Sequence, residues 1–364
     1  MTPPHRPYRF CIVGGTSWRA QLFGRLARSL PEHLELAGAA CRSGTDAGAV
    51  EERLSTKAWL SAEDMVRHCR PDFVVTSVAW AANAGLVCEL VDMGCHVLTE
   101  TPPAPDLDGL RVLWDHVGAA QLVQVSEQYL HYPGHAARAC LVRSGTIGEA
   151  TSVHISSTHG YHAVSLIRGY LAAGMAPVSV RATTVSAPLV DPLTRDGWTD
   201  DPEPKAAGNV LAVLDFGGTS GLYDFTDNQW HNQLRHRRVV VRGTHGEIVD
   251  DHVIRLAGAR TILQSTLVRR QLGYDLDLDG YDTDHISFDG EVLWRNPFRG
   301  ARLSDEDIAV GELLVATGAW SRDLGNPPYP LAEGCQDHLV SLAIERSVRS
   351  GETVRTAHEP WAGA

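Results

Sequence analysis

The sequence predicts an α/β protein: a doubly wound parallel sheet at the N terminus, then a C-terminal α/β region built on a large, mainly antiparallel open sheet. Two patterns carry this. Apolar runs alternate with helical periodicity through the first 130 residues. After about Thr151 strand-like runs follow one another with few helices between them. A third observation is the length of 364 residues, which exceeds what one hydrophobic core organises. Two domains are expected, 1–130 and 131–364, with the C-terminal helices free to pack back on the first.

The strands of the first sheet are Arg9–Val13, Leu34–Cys41, Asp72–Ser77, His96–Thr99 and Leu122–Val125. Between them lie helical patterns at Trp18–Leu30, Ala81–Met93, closed by Gly94, and Leu107–His116. Ser61 is placed to cap another helix whose first turn holds Glu63 and Asp64. Gly134–Arg143 reads as a helix. Strand candidates then follow at Thr151–Ser157, Val178–Ser186, Val210–Phe216, Gly221–Phe225, Arg238–Arg242 and Val253–Leu256. The polar, proline-rich stretch Thr194–Lys205 reads as a loop. Asp305–Ala319 and Gln336–Arg349 read as closing helices.

Composition narrows the function. The formal net charge is -12 with no basic block, which argues against nucleic acid or an anionic membrane as partner. Seven cysteines, an odd number with no CxxC pair, fit buried thiols in a reducing cytoplasm. No signal-peptide apolar region opens the chain, and no 18-residue apolar run occurs, so a cytoplasmic protein is expected.

A strand that ends in glycine and opens into a helix makes an anion site, because the helix terminus offers free N–H groups and glycine lets a pyrophosphate approach. Here that segment is Gly14-Gly15-Thr16-Ser17-Trp18-Arg19. It departs from GxGxxG: Thr16 stands at the second glycine position and Arg19 at the third. It is read as a Rossmann dinucleotide site, against the plainer reading of an ordinary strand–helix turn. At the end of the second strand Arg42-Ser43 stand where an acid would bind the ribose of NAD. Arginine and serine suit a 2′-phosphate, so NADP is expected, with NAD possible; a solvated surface arginine is the alternative.

The chain resembles the Gfo/Idh/MocA oxidoreductases (glucose–fructose oxidoreductase, inositol dehydrogenase and relatives). The segments that carry the resemblance are Gly94–Pro102, Leu141–Glu149, Gly243–Ile248, Tyr329-Pro330-Leu331 and Gln336-Asp337-His338. It implies a Rossmann domain followed by an open-sheet domain whose outer face forms a homodimer or homotetramer, and a small-molecule substrate. It also implies that Ser77, Glu100, Thr101 and Gln128 join Gly14–Arg19, Arg42 and Ser43 at the cofactor. Two departures stand out. The family's Glu-Lys-Pro appears as Glu100-Thr101-Pro102, and the only lysines, Lys57 and Lys205, are poorly placed to replace the missing one. The family's Asp-x-x-x-His maps onto Thr158 through His162, so the aspartate is lost, the histidine is kept, and Ser165 replaces a following acid.

Hydride transfer still needs a proton donor or acceptor near neutral pH. His162 is the first candidate for that role, followed by His159, with Tyr161 able to share it and Thr101 contacting substrate or ribose. For each histidine, capping or packing is the competing role. Glu127, Tyr129 and His131 are candidates for the substrate pocket, and Trp230 in Asn228–His231 for its far wall, although that segment also reads as a polar edge turn. Asp275, Asp277 and Asp279 copy the start of a calcium loop, but Ile286 stands where a bidentate glutamate is required. His159 and His162 lack a third ligand, so no metal is expected. The function expected is an NAD(P)-dependent oxidoreductase for a small polyol, sugar or sugar derivative. The alternatives are a reductase of C=N bonds, a redox-neutral lyase or glycosidase that retains NAD, and a non-catalytic dinucleotide sensor.

Overall fold

The computed structural model describes residues 6–273, 280 and 282–363. The calcium-like segment at 275–279 lies outside the described residues.

The first sheet takes strands β1 (Tyr8–Val13), β2 (Leu34–Ala40), β3 (Ala58–Trp59), β4 (Phe73–Thr76), β5 (Val97–Thr99) and β6 (Val123–Val125) in the order β3-β2-β1-β4-β5-β6. All five pairings are parallel. Their central residues are fully buried because helices cover both faces: α1 (Trp18–Ser29), α2 (Gly44–Leu54), α3 (Ala62–Cys69), α4 (Trp80–Asp92) and α5 (Leu107–Val117). Side chains start several of these helices. Ser17, Ser61 and Asp106 accept from the backbone N–H groups of Ala20, Asp64 and Gly109. The strand order reverses between β1 and β4, so a crevice opens beyond their C-terminal ends, where open α/β sheets hold ligands.

Helix α6 (Pro133–Arg143) begins on proline and leads to β7 (Ala150–Ser156). Then comes α7 (Gly160–Leu171), which the sequence reading missed. Its start, His159-Gly160-Tyr161-His162, resembles a catalytic motif, and Gly160 and Gly169 weaken the helical signal. Next are β8 (Ser179–Leu189), a short hairpin of β9 (Leu193–Thr194) and β10 (Gly197–Trp198), β11 (Lys205–Asp215), β12 (Ser220–Thr226), β13 (Arg238–Gly243), β14 (Gly246–Val249), β15 (His252–Gly258) and β16 (Thr261–Thr266). A three-stranded sheet of β17 (Val268–Leu272), β18 (Asp282–Phe288) and β19 (Glu291–Arg295) precedes α8 (Asp305–Ser321), α9 (Leu331–Ser350) and β20 (Val354–Arg355). The expected loop at Thr194–Lys205 is thus corrected: it holds half of a hairpin and the first residue of β11, whose long antiparallel register with β8 outweighs local polarity.

The large sheet runs β16-β15-β14-β13-β7-β12-β11-β8-β20 and is antiparallel except for the parallel pair β12–β7. Its inner face packs under α7 and the second half of α9, with Val153, Ile155, Ala163, Ile167, Val340 and Ile344 in one core. Its outer face leaves Val185, Leu211, Val213, Ile254 and Ile262 exposed.

The C-terminal helices return to the first sheet. Helix α8 buries Ile308, Val310, Leu313 and Leu314 against Phe10, Phe23 and Leu26. A capping box at Ser304 and Asp307 starts it, and Arg25 of α1 grips Asp307 with two hydrogen bonds of 3.0 and 2.7 Å. The first half of α9 places Leu331, Cys335 and Leu339 in the core under β5 and β6.

Gly318 is where α8 touches β1: a Cβ there would lie 2.3 Å from the Tyr8 ring. Alanine for glycine inside a helix ordinarily stabilises by about 0.5–1 kcal/mol. For Gly318→Ala we expect the opposite sign, a loss of about 1–3 kcal/mol from overpacking. Gly48→Ala in α2, with nothing within 4 Å of the added carbon, should follow the ordinary rule. Urea denaturation of both variants checks this; a stabilised Gly318→Ala would refute the packing argument.

Candidate active site

A cavity of about 1560 Å³ opens at the β1–β4 switch and runs on between the two sheets. It exceeds the roughly 300–1,000 Å³ of a pocket for one small ligand.

One end is formed by Gly14, Gly15, Thr16, Ser17 and Trp18. Gly14 has φ +102°, and a Cβ there would lie 2.1 Å from the Ser77 carbonyl oxygen, so the β1 turn closes on β4 only with glycine. Ser17 caps α1 and its Oγ lies 2.7 Å from the Ser77 hydroxyl. The N–H groups of Thr16, Trp18 and Arg19 have no partner among the described residues, which leaves the anion-binding end of α1 open. Arg42 lines this end and is exposed. Ser43 does not line the cavity; its hydroxyl bonds to Thr45 and Asp46. Asp46 lines the cavity instead. These residues fit a dinucleotide: open N–H groups for its phosphates, no side chain at 14 or 15, and a cation near the end of β2.

The side chain of Arg19 is held by protein partners. Its side chain is buried, with Nε 3.1 Å from Glu100 Oε1, one terminal nitrogen 3.0 Å from Gln128 Oε1 and the other 3.4 Å from Glu306. Burial alone would lower the guanidinium pKa, yet the charges of Glu100 and Glu306 raise it. A fixed cation therefore lies beside Glu100-Thr101, although the motif lysine is absent. The sequence reading considered only lysines as replacements. Beneath it, Asn83 pins the segment by donating to Thr99 Oγ1 at 2.7 Å and to the Pro103 carbonyl at 3.0 Å.

The other end holds the candidate acid–base residues. His162, in the first turn of α7, places Nδ1 2.5 Å from Oε2 of Glu127, just past the end of β6. Glu127 is buried, and its other oxygen accepts from the Tyr129 N–H at 3.2 Å. A carboxylate accepts only, so this contact fixes the proton on Nδ1 and leaves the Nε2 lone pair without a partner among the described residues. His162 lines the cavity and packs on the Tyr129 and Tyr161 rings at 4.5 and 4.4 Å. Tyr161 donates to the Thr101 carbonyl at 3.3 Å, and burial raises its pKa, so it stays a neutral phenol. Burial, with a further contribution from His162, lowers the His159 pKa to about 3. His159 packs edge-on to Trp230 at 4.5 Å, and its buried Nδ1 has no partner among the described residues. Ser157 Oγ, on the same wall, is also buried without a partner.

Trp230 lines the cavity as expected, as does His231. Asn228 does not, since its side chain ties down the hairpin at Asp191 and Leu193. His131 lies away from the cavity, 3.4 Å from Glu312: the short helical turn at Tyr129–His131 sends consecutive side chains different ways. Reading the sequence missed Tyr132, His135, Arg195 and Arg237, which also line the cavity. The first two follow the segment it singled out; the arginines arrive from distant loops with no local signal. Among the described residues no cluster of three or more His, Cys, Asp or Glu could hold a metal ion.

Residues 8–129 match the family model Gfo/Idh/MocA, an oxidoreductase family with an NAD-binding Rossmann fold. That segment belongs to the Gfo/Idh/MocA oxidoreductases. No curated protein sequence matches the chain. Solved structures of similar fold extend over nearly its whole length. An oxidoreductase domain protein from Kribbella flavida is 16% identical, covers 97% of this chain and 100% of its own, and superposes with a TM-score of 0.70. Levoglucosan dehydrogenase in complex with NADH and levoglucosan is 16% identical over 96% and 100%, with a TM-score of 0.68. A myo-inositol dehydrogenase from Corynebacterium glutamicum is 16% identical over 96% and 98%, with a TM-score of 0.64. The Gfo/Idh/MocA domain thus continues into a second region of the same fold as in these proteins.

His135 adds a pH dependence. Burial lowers its pKa to about 3, and its Nδ1 lies 2.8 Å from the Tyr170 hydroxyl. The unfolded chain takes up a proton near pH 6.5 that the folded one refuses, so stability falls as pH drops below about 6.5. This one group contributes a slope of about 1.4 kcal/mol per pH unit in that window. Denaturant melts of wild type and His135→Asn between pH 7 and 5 should show the variant losing less; parallel curves would show that His135 does not titrate this way.

Proposed function

We propose that this protein is an NADP-dependent oxidoreductase that oxidises or reduces one carbon of a small polyol, sugar or sugar derivative. The Glu127–His162 pair carries the reading: it aims an unpartnered imidazole nitrogen into a cavity that continues from a dinucleotide site. The cofactor supplies the hydride acceptor or donor. In the oxidation direction His162 Nε2 takes the hydroxyl proton, and Glu127 stabilises the resulting imidazolium through Nδ1–H. His159 stays neutral and Tyr161 keeps its proton, so both position substrate. Arg19 holds Glu100 and Gln128 in place under the reacting groups.

The substrate class is supported by the wall opposite the loop. Tyr129, Tyr132 and Trp230 offer ring faces, while Ser157 Oγ and His159 Nδ1 are buried and unpartnered. Apolar faces with isolated hydrogen-bonding groups suit a compact molecule with C–H faces and hydroxyls. Levoglucosan and inositol dehydrogenases of the same fold agree with it. The preference for NADP over NAD rests on Arg42, which has no acidic partner among the described residues, although Asp46 nearby keeps NAD in contention. A homodimer or homotetramer through the outer sheet face is supported by Leu211, Val213 and Ile254 exposed there. No described helix is long and apolar enough to cross a membrane. Burial of Cys11, Cys69 and Cys335 as free thiols suits the cytoplasm.

The test begins with NADPH and NADH titrations followed by a polyol and sugar screen. His162→Gln should cut kcat by roughly 10²–10⁴-fold while leaving NADPH affinity within about threefold. Glu127→Gln should cut it by roughly 10²-fold or more. Full activity in His162→Gln would remove the assigned base. Arg42→Asp should shift preference from NADPH toward NADH by about tenfold or more, and unchanged preference would place NADP discrimination elsewhere. Leu211→Glu with Val213→Glu should convert the oligomer to monomers in light scattering. A wild-type monomer would refute the interface.

A further inference from the structure

The hairpin of β9 and β10, inserted between β8 and β11 of the large sheet, brings an arginine to the dinucleotide loop. At its turn, the Arg195 guanidinium lies over the Trp18 indole, 4.7 Å from the ring centroid. Trp18 is the first residue of α1, beside the open N–H groups of Thr16, Trp18 and Arg19. Both Arg195 and Trp18 line the cavity. In a chain with 44 acidic and 32 basic residues, Arg195 has no carboxylate partner among the described residues. Arg19 and Arg25, close by on α1, are both paired.

The hairpin is anchored. Asn228 donates to Asp191 at 2.6 Å and to the Leu193 carbonyl at 3.0 Å, and Asn232 donates to the Val190 carbonyl at 2.9 Å. Asn228 and Asn232 flank Trp230, so one turn holds both the substrate wall and the arm that bears Arg195.

We propose that Arg195 is a cofactor-binding residue that grips the dinucleotide pyrophosphate from the side opposite the α1 terminus. This rests on the reading that the chain binds a nicotinamide dinucleotide. The chemistry fits: a pyrophosphate carries two negative charges, α1 offers N–H groups to one side, and a guanidinium fork suits the phosphate oxygens left on the other. Stacking on Trp18 orients the fork without neutralising it. The C-terminal region thereby contributes to dinucleotide affinity, and the substrate wall is held by the same turn as the cofactor clamp.

The test uses the full chain and two probes. NADPH is titrated by its fluorescence, and ADP-ribose, which has the pyrophosphate but neither nicotinamide nor 2′-phosphate, by competition. Arg195→Ala should raise Kd about tenfold for both probes and flatten the salt dependence, and Arg195→Lys should recover part of the loss. Thermal melts establish that both variants are folded, which the exposure of Arg195 favours. Unchanged Kd for both probes overturns the proposal, as does a loss with NADPH alone, which would put Arg195 on the 2′-phosphate. If wild type binds NADPH but Arg195→Ala alters only substrate KM, the arginine serves the substrate and the proposal fails while the function stands. If wild type binds neither NADPH, NADH nor ADP-ribose, the functional reading itself fails.

Discussion

The geometry of the site depends on a buried charge pair distant from the dinucleotide loop. Arg168 of α7 donates to Asp337 of α9 at 2.5 Å and to Glu333 at 2.7 Å, with both members of the first pair almost wholly buried. Tyr329 donates its hydroxyl to the other oxygen of Asp337. Removing one member of such a pair strands the other charge and costs roughly 3–5 kcal/mol, so α7 cannot slide along α9. Because Tyr161 and His162 stand two turns up the same helix, the pair sets their position against Glu127 on the other sheet. A short contact like that between His162 and Glu127 requires both elements to be placed within a fraction of an ångström.

A second consequence concerns charge. Thr101 and Thr158 stand where the resemblance to the Gfo/Idh/MocA oxidoreductases implies a lysine and an aspartate, yet the cavity keeps a cation and a carboxylate. Arg19 enters from the helix start rather than the Glu-x-Pro segment, and Glu127 from the end of β6 rather than α7. Both are buried, so the interactions are strong for their distances. Chemistry that one segment usually supplies is here redistributed around the same cavity.

This explains what the sequence could and could not reveal. The parallel sheet was readable because buried strands such as Phe73–Thr76 are continuous apolar runs, and glycines or caps mark the helix ends. Strands β7 and β12 were readable by a different pattern, the alternation of buried and less buried residues in a strand with one face on the core. Helix α7 was hidden by its glycines, and β16 and β17 by having almost every residue exposed, on both faces, so that no buried face leaves an apolar pattern. His162 could be named from a motif, and Glu127 from its segment, but their pairing spans 35 residues and is a product of topology. Arg19 lies at the end of the cavity where it was expected, but its contacts with Glu100, Gln128 and Glu306 had no local signal, since local sequence gives position and only packing gives contacts. Arg195 had no signal at all: nothing near Thr194 indicates that Trp18 lies beneath it.

The return of α8 to the first sheet bears on biosynthesis. Strand β1 leaves the ribosome long before its cover does: Phe10, Phe23 and Leu26 are covered by Ile308, Val310 and Leu313–Val315. For most of translation this apolar face has no native cover, and a chain cut before about residue 321 would expose it permanently. The N-terminal sheet is thus an autonomous domain in topology but not in assembly. Fragments that stop at the end of the dinucleotide-binding segment would be clients for chaperones and proteases, and expression of the isolated segment would need α8 grafted back onto it.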